Sequence, residues 1–412
     1  MNRFGNILLS SLFVMFIMIF GVYMFSTNDH DISKTENRKL AQKPELTIEK
    51  LKDGSYMEEF EGYFTDQFPG RDRWLKSYID YQRLTNKTYI FDYFITKENW
   101  IYPKPDYDIY SAEIEESTDR LNLFADFLKD KDIELYYFSV PHRTTVMSFL
   151  LPDYIKPGNY LQNINVFMSN LYTDENFVTV DLTNEFTKTF SEEELSEMYF
   201  RTDHHWNLNG AFQGYKRIVD TLNVHSDHFI DTEVRIEDYQ KICSDSSVEF
   251  DGSYNKQVYR VVDESEELKC YYKSKEVDYD KYTIYLNGQE REPSQVYGQG
   301  IRKESSIVNY SDLFTYNYSE LKIINERNKK LDNKILIIKD SYANPLVYQL
   351  AEHFYETTIY DPRYNEDQII QEYIEEMDFD IVAFVYNSTH LYGKNYKFDT
   401  YPVSDAQEQE LK

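Results

Sequence analysis

Apolar positions along this chain change their pattern several times. From Phe4 to Phe25 they are almost continuous, and no charged residue lies between Arg3 and Asp29. That matches the ~20 residues a membrane-spanning helix needs. Arg3 and the amino terminus precede the stretch and Asp29 and Asp31 follow it, so the positive-inside bias puts the short N-terminus in the cytoplasm and the remainder outside. A cleaved signal peptide is the competing reading, but the stretch is long for one and Met24-Phe25-Ser26 is a poor small-x-small cleavage site. A polar stalk from Ser26 to Lys43 ends before Pro44. Between Ile48 and Thr85 the spacing turns helical (Leu51, Met57, Phe60, Phe64, then Trp74, Leu75, Ile79, Leu84), and Pro69-Gly70 breaks it into two amphipathic helices. Residues 1–28 therefore read as an anchor and 29–89 as stalk and helices.

Beyond residue 90 short apolar runs alternate with helical periods. Ile90 to Tyr102 predicts a hairpin, Ile133 to Val140 and Phe177 to Leu182 predict strands, and Ala112 to Lys129, Leu161 to Tyr172 and Asn207 to Leu222 predict helices. After about Arg235 the pattern breaks into short β-type runs, such as Val258 to Val262, Tyr271 to Lys273 and Tyr282 to Tyr285, with the turn signal Asn287-Gly288. Alternation resumes with strand Lys334 to Ile338, helix Asn344 to His353, strand Thr357 to Tyr360, helix Glu366 to Met377 and strand Ile381 to Tyr386, before a polar tail after Phe398. The expected fold is α/β, a parallel sheet covered by helices on both faces. It divides into a first part at 90–234, a β-rich insertion at 235–330 and a second part at 331–412.

Charge narrows the function. With 44 basic and 72 acidic residues the net charge is −28, which repels nucleic acid phosphates. The 39 tyrosines suit carbohydrate clefts and ordinary cores alike. Cys243 and Cys270, with no CxxC, leave one disulfide or two buried thiols open and cannot form a zinc cluster alone.

Two segments carry the chemistry. In Ile335-Leu336-Ile337-Ile338-Lys339-Asp340-Ser341-Tyr342-Ala343-Asn344-Pro345 a short apolar strand ends just before a serine, and a helix is predicted to open within a few residues. Ser341 thus sits at the carboxyl edge of a central strand, the usual ligand crevice of open α/β sheets. A serine needs a base, and Thr202-Asp203-His204-His205-Trp206-Asn207 offers one. On extended backbone Asp203 and His205 share a face and His204 points away, a divergence that argues against a metal held by Asp203, His204 and His205. Asn387, His142 and Arg143 follow other strands to the same edge and are candidates for holding an oxyanion or substrate.

These segments, with Glu36-Asn37-Arg38, Asp66-Gln67-Phe68-Pro69-Gly70-Arg71-Asp72 and Gly252-Ser253-Tyr254, resemble the DHHW proteins, a branch of the SGNH-hydrolase-like proteins of alginate-acetylation type. The resemblance spans nearly the whole chain. It implies a circularly rearranged SGNH fold in which Asp203 is the orienting acid, His205 the general base and Ser341 the nucleophile. It also implies acetyl transfer to a cell-surface or secreted polysaccharide outside the cell membrane without a cofactor, the acetyl group coming from a polytopic membrane acyltransferase. One departure is Lys339-Asp340 where relatives carry glycine before the serine, which puts the oxyanion geometry in question. A polysaccharide acetyl esterase and a non-catalytic carbohydrate-binding scaffold are the rival readings.

Overall fold

The computed structural model describes residues 3–33, 38–230, 232–265, 267–302, 306–365 and 368–396. Glu36-Asn37, the start of the helix expected at Glu366 and the tail after Phe398 lie outside them. The chain forms two compact units, Met1–Phe94 with Tyr254–Asp263, and Ile95–Ser253 with Glu264–Lys412. Most of the expected insertion therefore belongs to the larger unit.

In the smaller unit, α1 (Arg3–Ser26) includes the apolar span Phe4–Met24, of mean hydropathy 2.5. The two amphipathic helices are α2 (Ser55–Asp66) and α3 (Arg71–Leu84), separated at Gly70 with φ 70°. A short helix, Ile48–Asp53, precedes them. The run Val258 to Val262 contains no strand, because Tyr259 and Arg260 take left-handed φ of 58° and 54° that an extended ladder excludes.

The larger unit is built on one eight-stranded sheet. Its strands in chain order are β1 (Glu134–Val140), β2 (Phe177–Asp181), β3 (Thr283–Leu286), β4 (Gln289–Arg291), β5 (Glu320–Ile324), β6 (Lys334–Lys339), β7 (Glu356–Tyr360) and β8 (Ile381–Asn387). In space they run β4-β3-β5-β7-β6-β8-β1-β2. The five from β7 to β2 are parallel. The three strands from the expected insertion join β7 antiparallel, so they widen the main sheet. Asn287-Gly288 makes the predicted two-residue turn, with φ of 49° and 73°.

Alternation along each central strand feeds two cores. Tyr136, Phe138, Ile335, Ile337, Ala383 and Val385 pack on one face with α6 (Leu208–His225), through Phe212, Tyr215 and Ile218. Leu135, Tyr137, Leu336, Ile338, Val382 and Phe384 pack on the other. That second face is covered by α4 (Ser111–Lys129), α5 (Tyr160–Asn170) and α7 (Ile370–Glu376). Strands buried on both faces have to be apolar at nearly every position, which is what β6 and β8 show. Cys243 and Cys270 are directly opposed in a ribbon of Tyr239–Cys243 with Cys270–Ser274 and form a disulfide.

Candidate active site

Strand β6 lies between β7 and β8, so the chain leaves it to one side and later returns on the other. Such a reversal at the carboxyl ends of the strands is where open α/β sheets bind ligands, and Ser341 follows β6 directly after Asp340. The helix expected at Asn344 to His353 is broken into a 3-10 turn, Ser341–Ala343, and a short helix, Val347–Leu350. Pro345 has no N–H to continue the ladder. Asp340 caps the turn by accepting the Tyr342 N–H at 2.8 Å.

The Asp203-His205 pair comes together through a tight turn rather than extended chain. Asp203 Oδ1 accepts the His205 backbone N–H at 3.0 Å and faces His205 Nδ1 at 2.6 Å, an aspartate turn closed on its own side chain. Its Oδ2 accepts the Ser253 N–H at 2.8 Å. An ionised carboxylate only accepts, so the imidazole proton sits on Nδ1 and Nε2 is left to face Ser341 Oγ at 2.8 Å. Burial opposes ionisation of Asp203, yet the imidazoles of His205 and His204 and the hydrogen bonds it receives hold its carboxyl well below the usual range.

The loop is fixed from several sides. Trp206 donates its indole N–H to the Tyr342 carbonyl at 3.0 Å and packs so closely on α6 that a Cβ at Gly214 would sit 2.5 Å from the indole. Glu267 accepts both the N–H and the hydroxyl of Thr202, at 2.8 and 2.7 Å. Tyr310 lies flat on His205, ring centroids 3.6 Å apart and planes 3° from parallel, and donates to the Ser341 carbonyl at 2.9 Å. Burial raises the Tyr310 hydroxyl well above its ordinary value, so the ring is a neutral phenol, electron-rich on the face it presents to an imidazolium.

Several expectations need correction. Arg143 is not a substrate clamp: its side chain is fully buried and donates to the carbonyls of Phe200, Arg201 and Asp203 at 2.9, 3.1 and 2.6 Å and of Ile101 at 2.6 Å. A guanidinium fork satisfies that many acceptors without ordered water. Asn387 is not poised over an oxyanion either, because its amide nitrogen lies 2.7 Å from Asp340 Oδ2 and 2.9 Å from His390 Nδ1. Asp340 Oδ2 also meets His390 Nδ1 at 2.8 Å. Asp340, which stands directly before Ser341, is thus held by Asn387 and His390, and Lys339 is buried with its ammonium donating to Asn317 and Asn344 at 2.8 Å. His142 is buried with Nδ1 on Thr144 Oγ1 at 2.7 Å, and its ring centroid is 5.7 Å from that of Tyr342. Burial holds its imidazole neutral, well below its ordinary value. His204 does not point away from His205; the ring centroids are 3.7 Å apart and its Nδ1 meets Ser253 Oγ at 2.7 Å. Asp203, His204 and His205 each bring one potential ligand atom within 4.8 Å of the others, so the divergence expected of adjacent histidines does not hold here. The serine region thus gathers Tyr310, Ser253, Glu267 and His390, none of which motif spacing singled out individually, although Ser253 lies within Gly252-Ser253-Tyr254.

Residues 94–237 match the family model described as SGNH hydrolase-like domain, acetyltransferase AlgX. The structure of Bacillus cereus PatB1 is 30% identical with a TM-score of 0.67, over 74% of this chain and 99% of that one. A PatB1 structure with a sulfonyl adduct is 29% identical with a TM-score of 0.65, over 74% and 98%. A DHHW family protein from Eubacterium siraeum shares the fold at 20% identity and a TM-score of 0.55, over 74% and 93%. No curated protein matches the sequence. The fold and site define an SGNH-hydrolase-like acyltransferase or esterase type of protein. The chain belongs to one family with PatB1 and carries an SGNH hydrolase-like domain of the acetyltransferase AlgX type.

Proposed function

We infer that the protein is an extracytoplasmic O-acetyltransferase acting on a cell-surface or secreted polysaccharide, held to the membrane by α1. The observation that carries this is the continuous relay from Ser341 Oγ to His205 Nε2 at 2.8 Å and from His205 Nδ1 to Asp203 at 2.6 Å, in a chain of acetyltransferase family. His205 takes the Ser341 proton as Oγ attacks the carbonyl of an acetyl ester. The Ser341 backbone N–H is one donor to the developing oxyanion. His205 then gives its proton to the departing alcohol, leaving acetyl-Ser341. A sugar hydroxyl, deprotonated by the same imidazole, attacks the acetyl carbonyl, and the imidazole returns that proton to Ser341 Oγ as the serine leaves. A polytopic membrane acyltransferase is the proposed acetyl source. Neither a metal nor a cofactor is needed by any of these steps.

The test is mass spectrometry of the intact protein after incubation with a chromogenic acetyl ester. The expected result is one acetyl group on Ser341, absent in Ser341→Ala and displaced by polysaccharide faster than by water. Displacement by water alone at the same rate identifies an esterase. No adduct and no ester turnover overturns the catalytic reading.

A further inference from the structure

In the smaller unit the apolar helix packs against a second group of aromatic residues. Phe20 lies inside the apolar span Phe4–Met24. Its ring stacks on Phe68 with centroids 5.2 Å apart and planes 6° from parallel, and meets Trp74 edge-on at 6.3 Å. Phe68 and Trp74 belong to the corner between α2 and α3, so that corner reaches the depth of a spanning residue. The corner is also bolted to the chain just after the span. Gln67 accepts the His30 N–H at 2.9 Å and donates to the His30 and Ala41 carbonyls at 2.9 and 3.0 Å. Tyr63 donates to Asp29 at 3.0 Å. The motif Asp66 to Asp72 thus fixes α2 and α3 against the exit of α1.

What α3 presents from that position is an aromatic stripe. Trp74, Tyr78 and Tyr81 fall within about 60° of arc at 3.6 residues per turn, and they are 55%, 50% and 62% exposed. Ile79 and Gln82 form the buried face, while Arg73, Lys76 and Asp80 occupy the far side. Met57 and Phe64 add exposed apolar surface on α2. Tryptophan and tyrosine have an apolar body and a polar tip, which suits the head-group layer of a bilayer. Glu58 and Glu61 flank the apolar positions of α2, so apolar burial rather than attraction to anionic lipid drives the contact.

We propose that α2 and α3 form a membrane seat, with the Trp74, Tyr78 and Tyr81 stripe lying in the outer interfacial layer of the same bilayer that α1 spans. This rests on the anchor reading of α1. The seat holds the smaller unit along the membrane surface rather than letting it swing on a stalk.

The full chain is reconstituted in phosphatidylcholine vesicles whose lipids are brominated near the top of their acyl chains. Of the three tryptophans, Trp100 and Trp206 are buried, so the emission lost in Trp74→Phe reports the seat. That emission should fall about twofold or more, because interfacial rings sit within ~5–10 Å of the acyl boundary. The double variant Trp74→Phe, Tyr81→Trp moves the reporter ~10 Å along α3 and should be quenched similarly. A nitroxide on Val14→Cys, with Cys243 and Cys270 already paired, tests α1 separately. Lipid-buried Val14 without quenching at position 74 or 81 overturns the seat and leaves the anchor. A water-accessible Val14 label overturns both.

Discussion

Replacing Asp203 with asparagine removes one charge and one acceptor from a site where every position of the carboxylate is used. If the amide oxygen keeps facing His205, the new NH2 meets the Ser253 N–H across the 2.8 Å now spanned by a hydrogen bond. Two donors then face each other, costing about 1–3 kcal/mol of stability. If the amide flips, its nitrogen donates to His205 Nδ1, the imidazole proton moves to Nε2, and that nitrogen confronts Ser341 as a donor. The base is then in the wrong tautomer. Either orientation also strips the imidazolium of its counter-ion, and a loss of this kind is worth about 10⁴-fold in rate in serine triads, about 5 kcal/mol of barrier. The assay is the rate of Ser341 acetylation by a chromogenic acetyl ester, read by mass spectrometry beside a thermal melt. Acetylation within about tenfold of the parent, in a folded variant, would refute the assignment of Asp203.

Arg143→Met should lower the melting temperature by the equivalent of about 3–5 kcal/mol, because four carbonyls lose a buried cationic donor; a raised KM with unchanged stability would restore the substrate-clamp reading. Tyr310→Phe keeps the stack on His205 and loses only the bond to the Ser341 carbonyl, so acylation should slow by about two- to tenfold. Tyr310→Ala should slow it further, and equal rates for the two variants would show that the stack contributes nothing. Burial pushes the Glu352 carboxyl up to about 7, against the hydrogen bonds it accepts from Tyr279 and Tyr239. A folded-state value above the unfolded one adds stability that is full below about pH 4.5 and lost as pH rises through 7. Allowing for the partial exposure of Glu352, denaturant titrations should show about 1–3 kcal/mol lost between pH 5 and 8, and a flatter profile in Glu352→Gln; identical profiles would remove Glu352 as the cause.

The sheet was readable because its central strands obey local rules. Ile335-Leu336-Ile337-Ile338 and Ile381 to Tyr386 are apolar at every position, the mark of strands covered on both faces, and α6 announced itself through Leu208, Phe212, Tyr215 and Ile218. Of the antiparallel extension only the run Tyr282 to Tyr285 and the Asn287-Gly288 turn were legible, and not as part of this sheet, since no residue of Thr283–Leu286 encodes which edge it will join. Much the same division runs through the site. Ser341, His205 and Asp203 were proposed from residue type and motif and lie within hydrogen-bond reach of one another, although a self-capped turn and not an extended strand brings Asp203 to His205. Arg143 and Asn387 were placed on the correct edge and given the wrong work, because a strand's end fixes where a side chain starts but not which acceptor claims it. Arg143 was claimed by carbonyls of Ile101, Phe200, Arg201 and Asp203, and Asn387 by Asp340. Tyr310 lies 105 residues after His205 in sequence and 3.6 Å from it in space, a contact that no local spacing expresses. The part of the site that motif reading recovers is the proposed relay of Ser341, His205 and Asp203; the part it misses is the frame, assembled from distant segments, that holds those atoms at hydrogen-bond distance.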